Sequence, residues 1–175
     1  MRLFDANLVL PSDSNVISSK IQPGDLLLIQ GNTWIDKVIK RITGSSYTHV
    51  AGVVGPDEAV EILPFKRTNY QKLETYTGRV DVFTCNSLTD DQRRKIVEHA
   101  VNKVGAKYDY KLIIWEASRY LFHWVWPYKA RDNSLCSTLW ADAYRNAGIN
   151  LCPDIIYPSP GDLGESPIIQ KVDNY

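Results

Sequence analysis

Short apolar and β-branched runs fill the first half of the chain and long helical periodicities fill the second. Strands followed by helices in this order predict an α+β fold. A third observation is size: 175 residues, 44% of them hydrophobic, suffice for one full core. A single domain spanning 1–175 is therefore expected, with 1–20 as an N-terminal extension and 152–175 as a coil-rich tail laid on the surface. No internal repeat or low-complexity tract interrupts it.

The first element is "PGDLLLIQ", where Pro23 and Gly24 form a turn that feeds an apolar strand. "NTWIDKVIKRITG" follows as a helix, with Trp34, Ile35, Val38, Ile39 and Ile42 at helical spacing and Gly44 as its stop. "THVAGVVG" and "AVEILPF" flank the turn residues "GPDE" and predict a β-hairpin, and "GRVDVFTC" supplies a further strand. "LTDDQRRKIVEHAVNKVG" carries a capping box, Thr89 with Gln92. Behind it Ile96, Val97, Ala100, Val101 and Val104 share one helical face, ended by Gly105. "YDYKLIIWEASRYLFHWVW", up to Pro127, predicts an aromatic-rich helix, and "SLCSTLWADAYRNAGI" another that ends at Gly148.

Twenty basic residues balance twenty acidic ones, so the chain lacks the basic excess of a nucleic-acid footprint. Three cysteines, widely spaced and without a C-x-x-C pair, indicate neither a disulfide framework nor a metal site. No cofactor is expected. The first twenty residues include Asp5, Pro11 and Asp13, which interrupt any apolar core of a signal peptide. No apolar run approaches the roughly 20 residues of a membrane span. The expectation is a cytoplasmic protein with no integral membrane segment.

One cysteine stands out by position. Ser134 or Asn133 can cap the helix of "NSLCSTLW", which puts Cys136 in its first turn, where free N–H groups and the helix dipole favour a thiolate. The alternative is a small buried residue, as free cysteines commonly are. Cys85 in a strand and Cys152 past a helix end have structural roles by the same reasoning. A nucleophile needs a base and a group that orients the base. His99 and His123 lie inside helices and read as surface or packing residues. His49 begins a strand of small and β-branched residues that would let a helix approach closely, so it is either a base at the sheet edge or a strand cap. Glu61 sits among apolar residues of the partner strand, where a carboxylate is costly unless paired, and pairing with His49 would remove that cost.

These residues resemble a known family. "VGAKYDYKLI" and "NSLCSTLWADAYRNAGINL" are similar to the Gly-x-x-Tyr and cysteine-helix half of the NlpC-type cysteine peptidases. "PGDLLLIQG", "SSYTHVAGVVG" and "AVEILP" are similar to their Pro-Gly-Asp-Leu strand, Ser-His-Val strand and third-residue strand. The histidine half comes first here, which resembles the circularly permuted, YiiX-like branch, with the lecithin retinol acyltransferase group as more distant relatives. The resemblance covers about residues 21–165 and implies a permuted papain-like fold, a small antiparallel sheet or half-barrel packed on helices with the nucleophile at a helix N-terminus. It implies Cys136 as nucleophile, His49 as general base and Glu61 as the group fixing the imidazole, with Tyr108 beside the oxyanion. Ser46 and Thr48 either shape the pocket beside His49 or are ordinary strand-edge residues, and Tyr108, taken without the resemblance, reads equally well as a helix-start aromatic packing on the core. Two departures stand: Leu135 replaces the family's aspartate before the cysteine, and the third residue is acidic. The implied activity is a thiol amidase or peptidase acting on cell-wall peptides or other small amides. A lipid acyltransferase or thioesterase is the second reading, since "WEASRYLFHWVWPY" could contact lipid, although a buried helix explains that stretch as well. A non-catalytic module on the same fold is the third.

Overall fold

In a computed structural model, which describes residues 21–63, 66–76, 80–107, 118–119 and 135–172, the chain forms one six-stranded antiparallel sheet with the helices Asp90–Asn102 and Cys136–Asn146 packed on one face. The strands are β1 (Leu26–Ile29), β2 (His49–Val53), β3 (Glu58–Glu61), β4 (Asn69–Lys72), β5 (Val80–Thr84) and β6 (Gln170–Lys171), in the spatial order β4-β3-β2-β1-β5-β6. The helices are α1 (Trp34–Thr43), α2 (Asp90–Asn102), α3 (Cys136–Asn146) and the single turn α4 (Pro160–Gly164).

Alternation along the strands sorts the core into two layers. Leu26, Leu28, Val50, Val60 and Phe83 face α2 and α3, joining Ile96, Ala100, Leu139, Trp140 and Tyr144. Leu27, Ala51, Val53, Ala59 and Val82 form a smaller cluster on the opposite face, covered in part by Ile21, Leu73, Tyr76 and Val172. Close approach of α3 to the sheet depends on Gly52: a Cβ there would lie 2.3 Å from the Trp140 ring. The small residues of β2 admit a helix as their sequence suggested.

The Pro-Gly-Asp turn has a structural explanation. Gly24 adopts φ +93°, which a glycine tolerates without strain. That turn places Asp25, fully buried, where its carboxylate accepts from Gln22 N–H at 2.8 Å, Thr84 Oγ1 at 2.7 Å and Arg93 Nη1 at 3.0 Å. Tyr144 of α3 donates its hydroxyl to Gly24 O at 2.7 Å. One turn thus ties β1, β5, α2 and α3 together.

Both expected capping residues act as read: Thr89 and Gln92 close a reciprocal box on α2, and Gly44 ends α1 in the left-handed region at φ +69°. The tail departs from expectation. Rather than coil on the surface, it buries Cys152, Leu163 and Ile169, forms α4 behind the N-cap Ser159 and Pro160, and adds β6 to the sheet edge. Proline at the first helical position starts a helix instead of preventing one. Strand β4 escapes the sequence pattern because "NYQK" is a polar edge strand with no buried face. The aromatic-rich segment expected to be a helix lies outside the described residues apart from Ser118 and Arg119, which are helical.

Candidate active site

Cys136 is the first residue of α3, so its own N–H is one of the helix's unpaired donors. The cap differs from the expected one. Leu135 occupies the N-cap position in extended backbone, at φ −93° and ψ 168°, and offers no side-chain acceptor. Thr138 clamps this end from inside the first turn, its hydroxyl accepting from Leu135 N–H at 2.8 Å. Asn133 and Ser134 lie outside the described residues.

His49 opens β2 and Glu61 closes β3. Glu61 pairs with Ala51, two positions beyond His49, so both side chains project from the same sheet face and the carboxylate reaches the ring along the cross-strand diagonal. His49 Nε2 donates to Glu61 Oε2 at 2.8 Å, with side chains only 13% and 8% exposed. The Cys136 thiol, arriving with α3 from the other layer, comes within interaction distance of the imidazole at the start of β2. Residues distant in sequence therefore form one continuous chain of contacts, Cys136 to His49 to Glu61.

The electrostatics follow from that chain. Burial pushes the Cys136 thiol up, but the His49 charge and hydrogen bond, then the backbone amides of Val50 and Ser137, outweigh it and hold the thiol below its ordinary value. Burial likewise opposes a charged His49, yet the facing Cys136 and then Glu61 raise the imidazole well above its usual range. Burial disfavours ionised Glu61 as well, and the His49 bond and charge overcome it, so the carboxyl sits below the ordinary carboxylate range. All three directions favour a thiolate–imidazolium pair backed by a carboxylate.

Tyr76 is a member of this cluster that sequence reasoning missed. Its hydroxyl is buried, closes no hydrogen bond of regular geometry, and faces Glu61; burial and then the Glu61 charge push its ionisation upward. No motif marks it, because it follows a 3-10 turn, Leu73–Thr75, with no periodic pattern.

The remaining candidates separate clearly. Thr48 is buried, and its hydroxyl accepts from Gly31 N–H at 3.1 Å and lies 3.5 Å from Ile29 O, so it ties β2 to the end of β1. Ser46 is exposed in the bend before β2. Tyr108 and His123 lie outside the described residues. His99 is half-buried on α2, where burial lowers its pKa. Cys85 is buried with its sulfur 3.3 Å from Ser87 Oγ. Burial pushes the Cys152 thiol up to about 11, and its sulfur lies 3.5 Å from Asp162 O. Glu58 is exposed at the start of β3, opposite Lys72. Among the described residues no group of three or more His, Cys, Asp or Glu side chains converges as a metal site, and no helix is long and apolar enough to cross a membrane.

The fold is similar to that of YiiX from Escherichia coli O157:H7, a DUF1105 protein described as a metalloprotein. The TM-score is 0.66, with 89% of this chain and 98% of that one covered at 19% sequence identity. The likeness is one of fold. No family model matches the chain, and no curated protein does.

Proposed function

We propose that this protein is a thiol hydrolase, an amidase or peptidase working through a Cys136–His49–Glu61 triad on a circularly permuted papain-like, NlpC-type fold. The observation that carries the reading is the contact chain itself: a cysteine on a helix N-terminus facing a histidine whose Nε2 is held by a buried carboxylate. The YiiX-like fold supports it, since the sequence motifs point to the same branch.

In the proposed reaction the Cys136 thiolate attacks the carbonyl carbon of an amide or ester, forming a C–S bond and an oxyanion. The Cys136 N–H at the start of α3 is the available donor to that oxyanion. Collapse breaks the bond to the leaving group, which takes the proton of the His49 imidazolium. Neutral His49 then accepts a proton from water as it attacks the thioester, and the carboxylic acid departs with the thiol restored. Glu61 keeps the ring oriented and stabilises its charged form.

YiiX is described as a metalloprotein; among the described residues of this chain no three or more His, Cys, Asp or Glu side chains converge as a metal site.

The test is turnover of chromogenic model amides and esters with mass analysis of the trapped enzyme. Wild type should yield an acyl adduct on Cys136, Cys136→Ala should lose all turnover, and His49→Ala should lose about 10²–10⁴-fold. An adduct elsewhere, or full turnover by Cys136→Ala, would refute the assignment.

A further inference from the structure

Among the described residues, folding does not account for one strip of the α1 surface. At about 100° per residue, Trp34, Val38, Ile42 and Ile39 fall on one arc of roughly 140°, Arg41 and Lys37 border that arc on the Trp34 side, and Lys40, Asp36 and Thr43 occupy the far side. In a helix held by its core this apolar arc would be covered. Here Trp34 is 75% exposed and Val38 47%, and neither belongs to either hydrophobic cluster. The protein side of α1 is instead its Asp36 flank. Asp36 completes the capping box with Thr33, packs against Gly31 and reaches Thr48, while Ile39 and Ile42 are half-buried. The exposed side therefore combines Trp34 and Val38 with the neighbouring Lys37 and Arg41. None of the three basic residues forms a salt bridge among the described residues.

An apolar strip headed by tryptophan and bordered by unneutralised cations matches one chemistry closely. The indole and valine enter the boundary between headgroups and acyl chains, while the lysine and arginine meet anionic headgroups. We propose that α1 docks this protein on the surface of an anionic lipid bilayer. Charge complementarity favours this occupant, because an anionic surface attracts Lys37 and Arg41 while an uncharged apolar face gains nothing from them. Position gives the docking a consequence. Gly44 ends α1, and Ser45–Thr48 lead directly into His49, so the docking helix lies at the end of β2 that carries the candidate site. The inference stands apart from the proposed catalysis, because no atom of Cys136, His49 or Glu61 takes part.

The experiment is co-sedimentation of the full chain with phosphatidylcholine vesicles, with and without phosphatidylserine, followed by the emission maximum of the tryptophans. Wild type should bind the phosphatidylserine vesicles with a blue shift and the neutral vesicles far more weakly, and salt should reduce binding. Trp34→Ala should weaken binding by at least about tenfold. Lys37→Gln and Arg41→Gln should each weaken it by roughly fivefold. Val38→Ser serves as a second apolar variant, and unchanged circular dichroism and Tm verify that each variant is folded. Cys136→Ala should bind like wild type, so loss of turnover and loss of docking are read separately. Equal binding to neutral vesicles, or Trp34→Ala binding as well as wild type, would overturn the proposal. Absence of vesicle binding with a concentration-dependent dimer that Trp34→Ala dissolves would overturn it in favour of a second copy on the same face.

Discussion

His49 receives opposing influences on one ring: burial resists its charge, while the sulfur on one side and the carboxylate on the other favour it. Because the attractive pair wins, Cys136 should alkylate rapidly at pH values below the roughly 8.5 of a free thiol, ahead of Cys85 and Cys152. The rate should fall only as pH drops through the lowered Cys136 value, and equal labelling of all three thiols in the native protein would contradict an activated sulfur. Turnover should decline on the alkaline side as pH rises through the raised His49 value, since the imidazolium is the proposed donor to the leaving group. Glu61→Gln should keep the ring in place by a hydrogen bond but lose the charge, giving reduced yet measurable turnover and an alkaline limb moved to lower pH. Glu61 also affects stability. Its folded pKa is depressed, so its contribution is present above the ordinary carboxylate range and lost as pH falls through the lower folded value. Acid unfolding of Glu61→Gln should accordingly show less pH dependence in that window. Tyr76 is a positioning residue in this scheme. Tyr76→Phe should leave Cys136 alkylation nearly intact while shifting the same alkaline limb, and an unchanged profile would remove it from the cluster.

At the scale of elements, the site depends on how closely α3 lies on β2, since the thiol and the imidazole come from different layers. Gly52 sets that distance. In Gly52→Ala the new methyl would meet the fully buried Trp140 ring, so helix and strand must separate. Overpacking of this kind costs about 1–3 kcal/mol. Urea unfolding should show that loss, and native-state alkylation should slow because Cys136 moves relative to His49. A variant as stable and as reactive as wild type would mean that the contact is not what positions the Cys136 thiol. Thr138 acts at the other end of the same helix turn, and its bond to Leu135 N–H substitutes for the side-chain cap that the sequence suggested.

Across the whole molecule, the Asp25 network joins the first strand to both long helices. Arg93→Ala would leave a fully buried carboxylate with only Thr84 and the Gln22 amide as donors. Removing one partner of a buried pair typically costs about 3–5 kcal/mol. The urea midpoint should fall with little change in slope, since the surface exposed on unfolding is nearly the same. The tail belongs to this scale too. Gly164 packs against the Tyr47 ring, where a Cβ would lie 2.9 Å away, and Tyr47 donates its hydroxyl to Asp81 at 2.7 Å. The last helix thereby holds the Ser45–Thr48 segment that delivers His49.

Local patterns in the sequence determined most of the described elements of this protein and pointed to the residues of its candidate site. Thr89 with Gln92, Gly44 and the β2–β3 turn act within a few residues of themselves, so their consequences can be read in order along the chain, whereas α2 ends at Asn102, before the expected stop at Gly105, whose N–H bonds the distant Thr68 O. The His49–Glu61 pairing was legible for a similar reason. A carboxylate amid apolar neighbours across a short hairpin has few places to find a partner. Only tertiary structure brought Cys136 to His49, because that contact needs α3 to lie across Gly52. It also recruited Tyr76, which carries no local signal, and drew the proline-rich tail into the core. It left Trp34 in solvent although its spacing reads as a packing face, since periodicity reports which residues share a side of a helix and not whether anything covers them.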